Sequence, residues 1–245
     1  MKTKLKKVIK WDQGDTEEFG SLKKLLSWDI DIALRYHPVI SFINKKDGLN
    51  ILEVGSSSRG LANYTDRYVT GVDLCFEGVQ LNNLKQVCAS SSELPFKDKE
   101  FDMVVCMDVL EHIEEKERLG AMLEMFRVSG RYLVVGAPCG DKALSLDRVY
   151  NKKFEKICGV KHGYITEHIK YGLPDIDKYL DLVKGYNFKV VKVMDNVPLS
   201  LWKFVNLNFM RRGVFTNLFF KSVFPFVKGL KGKDYYRKIY FIEIG

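Results

Sequence analysis

Short runs rich in β-branched and aromatic residues recur along this chain, separated by stretches with helical spacing. That alternation restricts the fold to crossover units on a mostly parallel sheet. Asn50 to Val54, Tyr68 to Leu74, Leu84 to Ala89, Phe101 to Met107 and Arg131 to Ala137 read as five strands, Phe188 to Met194 as a sixth and Lys238 to Ile244 as a seventh. Helices are expected over Gly60 to Arg67, Glu77 to Asn83 and Val109 to Arg127. The last carries Leu110, Ile113, Leu119, Met122, Leu123 and Phe126 on one face. A basic, helical lead-in occupies 1–45, its helix running from Phe19 to Ile43 and ending near Pro38 or a little beyond. Residues 138–172 are long, polar and irregular in pattern, which predicts a loop or lid. Pro174 and Asp175 open a further helix through Val183. The expected whole is one α/β domain over 1–245, a doubly wound, seven-stranded, mostly parallel sheet with a helical insertion at 200–233 before the last strand.

A chain of 245 residues, 46% apolar and 29% charged, has enough material for one sizeable core. Its net charge of +8 would by itself suggest a polyanionic partner. The charge is unevenly placed, however. Residues 1–10 carry +5, residues 200–238 carry +8, and the body from 11 to 199 carries −4. No basic stripe crosses that body, so nucleic acid is not an expected partner. Five widely spaced cysteines, an odd number, point to a reducing compartment. After the N-terminal lysines comes Trp11-Asp12-Gln13-Gly14-Asp15 rather than an apolar stretch, which points away from a secretory signal. A cytoplasmic protein is expected, peripheral to the inner face of the membrane if the basic insertion docks there.

The chemistry begins where the first strand ends. Ile51-Leu52-Glu53-Val54-Gly55 runs straight into Ser56-Ser57-Ser58-Arg59-Gly60, a turn of small side chains that lets backbone approach a cofactor. Asp73, eighteen residues after Gly55, ends the second strand, where a carboxylate can accept both hydroxyls of a ribose. A nicotinamide dinucleotide site would want a glycine in the middle of the turn, facing the pyrophosphate, and this turn has serine there. A dehydrogenase is therefore the weaker reading.

Four motifs in this order resemble the class I S-adenosylmethionine-dependent methyltransferases, in particular the type 11-like group with a Leu-Pro-Phe turn. They are Glu53-Val54-Gly55, Gly71-Val72-Asp73-Leu74, Glu93-Leu94-Pro95-Phe96 with Phe101-Asp102, and Asp108-Val109-Leu110-Glu111-His112-Ile113. The resemblance covers about 50–137 and implies a Rossmann-like methyltransferase fold with S-adenosyl-L-methionine as cofactor. It implies that Glu53 and Gly55 bound the turn against the methionine moiety and that Asp73 holds the ribose. Ser56, Ser57, Leu74, Ser90, Ser92, Leu94, Asp108 and Val109 complete the implied cofactor site. Ser90 stands where the family usually places an acid toward the adenine, and Ser57 and Arg59 replace the later turn glycines. Arginine at a position of positive φ would be strained, with Gly60 able to take part of that role.

Methyl transfer is an in-line displacement, and a hydroxyl acceptor needs a group to take its proton. His112, whose imidazole ordinarily titrates near neutrality, and His168, in the segment Glu167-His168, are the candidate catalytic residues. Each has a plainer reading, as a helix-start feature and as a loop residue. His162, His168 and Cys158 match no compact zinc spacing, and His37 and His112 are isolated, so no metal is expected. Residues 162–174 resemble a stretch of methyltransferases of glycan and lipopolysaccharide biosynthesis, which implies a sugar, glycan or lipid-linked acceptor.

Residues 200–233 hold seven basic residues, no acid, seven phenylalanines and a tryptophan. The mixture suits an interfacial helix on anionic lipid, or a helical cap over the site. Two alternatives to the enzyme with a small-molecule acceptor stay open at this point: a non-catalytic cofactor-fold module docked to a membrane or partner, and an RNA methyltransferase.

Overall fold

The computed structural model describes residues 28–77, 81–210 and 213–245. Seven strands form one sheet in the order β3-β2-β1-β4-β5-β7-β6. They are β1 (Ile51–Val54), β2 (Val69–Asp73), β3 (Leu84–Cys88), β4 (Phe101–Met107), β5 (Ser129–Pro138), β6 (Phe188–Pro198) and β7 (Tyr235–Ile244). β1 to β5 are parallel, and β7 enters antiparallel between β5 and β6. The helices are α1 (Ile30–Ile43), α2 (Glu115–Val128), α3 (Gly140–Cys158), α4 (Gly163–Tyr171), α5 (Ile176–Leu182), α6 (Leu199–Asn208) and α7 (Val214–Val227). The doubly wound sheet and the helical insertion before β7 are as the sequence predicts.

β1 and β4 are apolar apart from Glu53 and Asp102 because helices cover both of their faces. On one face Leu52, Val54, Val104 and Cys106 pack with Met122 and Phe126 of α2, and on the other Ile51, Met103 and Val105 pack with Val39 and Ile43 of α1. Burying a ring such as Phe126 contributes about 2–3 kcal/mol. Strand order reverses between β1 and β4, and the crevice beyond the carboxyl ends of those strands is where sheets of this type hold ligands.

Four expectations are corrected. The helix predicted over Gly60–Arg67 is a single 3₁₀ turn, Leu61–Asn63. Of the helix predicted over 77–83, residues 78–80 lie outside the described residues and 81–83 are not helical. The one over Val109–Arg127 divides into a 3₁₀ turn, Leu110–His112, and α2. The fourth concerns 138–172, which is not irregular: α3 and α4 occupy most of it. Ala143, Tyr150 and Phe154 recur at helical spacing and are buried against Trp202 and Tyr236, and that shared core orders the segment. The lead-in helix is described from Ile30 and ends at Ile43, a little beyond Pro38 as expected, with Pro38 inside it; residues 1–27 lie outside the described part.

Candidate active site

The turn after β1 is built around two glycines. Gly55 has φ +77°, and a Cβ there would come within 2.1 Å of Val109 Cγ2, so the turn and the segment after β4 touch only because this residue lacks a side chain. Gly60 has φ +45°, and its missing Cβ leaves room for Glu53 Oε2. That oxygen accepts the Leu61 amide at 2.7 Å. The positive φ falls on Gly60 and on Ser57 (φ 50°), not on Arg59, so the strain expected of an arginine is absent. Ser56 turns inward and fills the space over Gly71.

Asp73 ends β2 with its carboxylate beside this turn. Its Oδ2 accepts the Ser57 amide and its Oδ1 the Leu74 amide, each at 2.8 Å, which fixes the side chain and leaves each oxygen a second acceptor position. Leu74 is exposed at the rim. Ser90 and Ser92 share a hydroxyl–hydroxyl bond of 2.9 Å beyond β3, while Leu94 packs into the core and its amide donates to Glu124. Glu53 differs from its expected place. It is buried behind the turn near Tyr36, and burial pushes its carboxyl up to about 7.

Asp108 also departs from its implied role. Its carboxylate is held by the Arg237 guanidinium through two hydrogen bonds and by Arg35 Nε at 2.9 Å, all three side chains largely out of water. Burial opposes its ionisation, but the two guanidiniums win and hold it below the usual carboxylate range. It therefore anchors the loop after β4, with φ +56°, rather than offering itself to a ligand.

That loop delivers His112, and α4 delivers His168 to meet it, ring centroids 4.9 Å apart. Each imidazole is oriented by a carboxylate on Nδ1: Glu167 Oε2 at 2.8 Å for His112, Asp147 Oδ2 at 2.9 Å for His168. Asp147, on α3, also accepts the Tyr236 hydroxyl at 2.7 Å, and Tyr236 stacks on Trp202. Burial, reinforced by His168, pulls the His112 imidazole down to about 3, so it is neutral at pH 7 rather than titrating near neutrality as the sequence suggested. Glu111 stands beside the two rings, wholly buried, neither carboxylate oxygen bonded to a donor, with Oε1 4.0 Å from His168 Nε2.

Residues 52–132 match the family model described as "Methyltransferase domain". That match marks 52–132, a third of the chain, as a methyltransferase domain, in line with the class I S-adenosylmethionine-dependent methyltransferases that the motifs resemble. The chain is 29% identical over 168 residues to an uncharacterized protein of Methanocaldococcus jannaschii, an alignment covering 62% of this chain and 69% of that one. Among solved structures it is similar to the magnesium protoporphyrin IX methyltransferase of Synechocystis with bound S-adenosylhomocysteine, at TM-score 0.51, 14% identity, and coverage of 94% of this chain and 90% of that one. It is also similar to the cyclase SpnF, at TM-score 0.50, 14% identity, and coverage of 90% and 87%. At such identities these two likenesses establish the fold alone.

The residues of this methyltransferase fit its cofactor. The narrow approach between Gly55 and Val109 admits backbone contact but no added side chain, and Asp73 presents the free acceptor positions a ribose diol requires. Gly55, Ser57 and Asp73 would hold the methionine and ribose portions, with Leu74, Ser90 and Ser92 at the adenine end.

Sequence reasoning missed Arg35, Glu111, Asp147, Tyr236 and Arg237. Asp147 had a detectable signal, a charged residue inside the apolar spacing of Ala143, Tyr150 and Phe154. So had Arg237, a charge at the edge of the apolar run of β7. Glu111 had none, since an acid in the first turn after a strand is ordinarily a solvated, dipole-favoured residue.

Proposed function

We propose that this methyltransferase acts on a hydroxyl oxygen of a sugar, a glycan precursor or a lipid-linked small molecule. When bound, S-adenosyl-L-methionine supplies an electrophilic methyl group on a sulfonium. The observation that carries the reading is the convergence of Glu111, His112 and His168 just past Val109, on the segment that also walls the cofactor turn. A nitrogen acceptor that is already nucleophilic would need no such cluster. A hydroxyl must lose its proton as the new C–O bond forms, and His112, neutral at pH 7, is placed to accept it. Glu167 and Asp147 hold the two rings in fixed orientation, which lowers the cost of aligning an acceptor.

The exposed face of α7 supports an amphiphilic acceptor. On α7 Phe215 and Phe219 are 88% and 54% exposed, Phe226 is 79% exposed, and Lys221 and Lys228 accompany them. Among the described residues of α7, Phe220 is the one fully buried in the core. An apolar, basic face of this kind matches an anionic bilayer surface. No helix among the described residues is long and apolar enough to cross a membrane.

Calorimetry with S-adenosylhomocysteine should show one site per chain, lost in Asp73→Ala. Transfer of a ¹³C-methyl group into sugar, sugar-nucleotide and glycolipid fractions should then give a methyl ether signal that survives mild alkali. Label released by alkali as methanol, or attached to nitrogen, would overturn the hydroxyl reading.

A further inference from the structure

We infer that Glu111, His112 and His168 form a site for one divalent first-row transition metal ion. One ligand atom from each of the three residues lies within 4.8 Å of the others. Around an ion with bonds near 2.1 Å such atoms stand roughly 3 to 3.5 Å apart, a closure that modest side-chain rotation supplies. Sequence spacing gave no hint of this, because His112 and His168 come from different elements, and only the packing of α4 against the Leu110–His112 turn unites them.

Three observations favour an ion over a mere core cluster. Both histidines donate Nδ1–H to a carboxylate, which leaves the Nε2 lone pair of each ring free to bind; carboxylate-oriented imidazoles are the usual outer support of metal ligands. Second, both oxygens of Glu111 are buried and unpartnered, an arrangement that is costly unless something positive sits against them. Third, the surrounding charge is negative. Asp147 and Glu167 each pair with one of the two imidazoles, and the guanidiniums of Arg35 and Arg237 are both engaged by Asp108. Two imidazoles and one carboxylate suit zinc, iron(II), cobalt(II) or manganese(II), and leave coordination positions open for an acceptor oxygen. The role of the ion toward the acceptor rests on the hydroxyl-methylation reading: it would polarise that hydroxyl and favour loss of its proton to solvent. The site itself does not depend on that reading.

The test titrates chelator-stripped full-length protein with cobalt(II), following the visible ligand-field absorption and the heat of binding. One ion per chain is expected, with affinity at least tenfold weaker in Glu111→Gln and in His112→Asn, while S-adenosylhomocysteine affinity is unchanged in both. His112 is at the rim of the cluster, so its variant keeps the core intact. Wild-type protein that takes up no stoichiometric cobalt, or cobalt binding unchanged in both variants, overturns the site. Cobalt bound one to one without methylation of any hydroxyl overturns the acceptor reading and leaves the metal site standing.

Discussion

Asp147 Oδ2 stands 2.9 Å from His168 Nδ1 with both side chains buried, and the same carboxylate takes the Tyr236 hydroxyl on its other oxygen. One residue of α3 thus sets the direction in which α4 presents its imidazole. Asp147→Asn keeps the volume but alters which ring nitrogen carries the proton. Methyl transfer is expected to fall about 10- to 100-fold in kcat/KM, while calorimetry shows S-adenosylhomocysteine bound as before. Tyr236→Phe should cost about 1–2 kcal/mol of stability in denaturant titration, with a smaller loss of rate.

The contact between Gly55 and Val109 predicts a paired result. Gly55→Ala forces a methyl group into Val109 and keeps a positive φ, so cofactor binding should be lost and stability reduced by about 2–4 kcal/mol. Adding Val109→Ala relieves the collision but not the backbone strain of about 1 kcal/mol. The double variant should therefore recover part of the stability in thermal melts.

Glu53 predicts a pH dependence with a definite sign. Its carboxyl, ordinarily near 4.5, is raised to about 7 by burial. The folded protein thus binds a proton that the unfolded chain has released between those values, and stability from this residue is full below about 4.5 and declines as pH rises through 7. The full decline is about 3 kcal/mol, of which about 2–3 kcal/mol falls between pH 5 and pH 8. In Glu53→Gln the stability difference between pH 5 and pH 8 should shrink by that amount, as read from urea midpoints in the ligand-free protein.

The exposed aromatics of α7 predict membrane behaviour. Vesicles containing anionic lipid should bind the protein at low salt and release it at high salt, since Lys221 and Lys228 act through screened charge. Phe215→Ser with Phe226→Ser should lower partitioning at least tenfold without shifting the melting temperature, because both rings face solvent. Partitioning equal to that of the wild type in a sedimentation assay would remove the lipid-surface reading.

The contrast between what the sequence revealed and what it hid is clearest along β4 and after it. Phe101 to Met107 is legible as a strand because, Asp102 apart, every side chain there is apolar, and the turn at Gly55 with Asp73 beyond it is legible because local backbone chemistry dictates both. His112 and His168 were singled out individually, yet their meeting depends on the packing of α4, which no local pattern encodes. The segment 138–172 misled because Lys142, Arg148, Lys152 and Lys153 give it a polar average while Ala143, Tyr150 and Phe154 form a narrow buried stripe. Asp108 misled in the opposite way. Its position after β4 suggested a ligand contact, but Arg35 and Arg237, 73 residues before it and 129 residues after it, claim its carboxylate.

The antiparallel insertion of β7 between β5 and β6 sets an order of events during synthesis. Tyr236 and Arg237 secure Asp147 and Asp108, so neither the helix bearing the buried carboxylate nor the loop bearing the histidine has its support until β7 has left the ribosome. A nascent chain through β5 can form the parallel half of the sheet and the cofactor turn. The acceptor side waits for contacts of long sequence separation, the kind that form late and slowly.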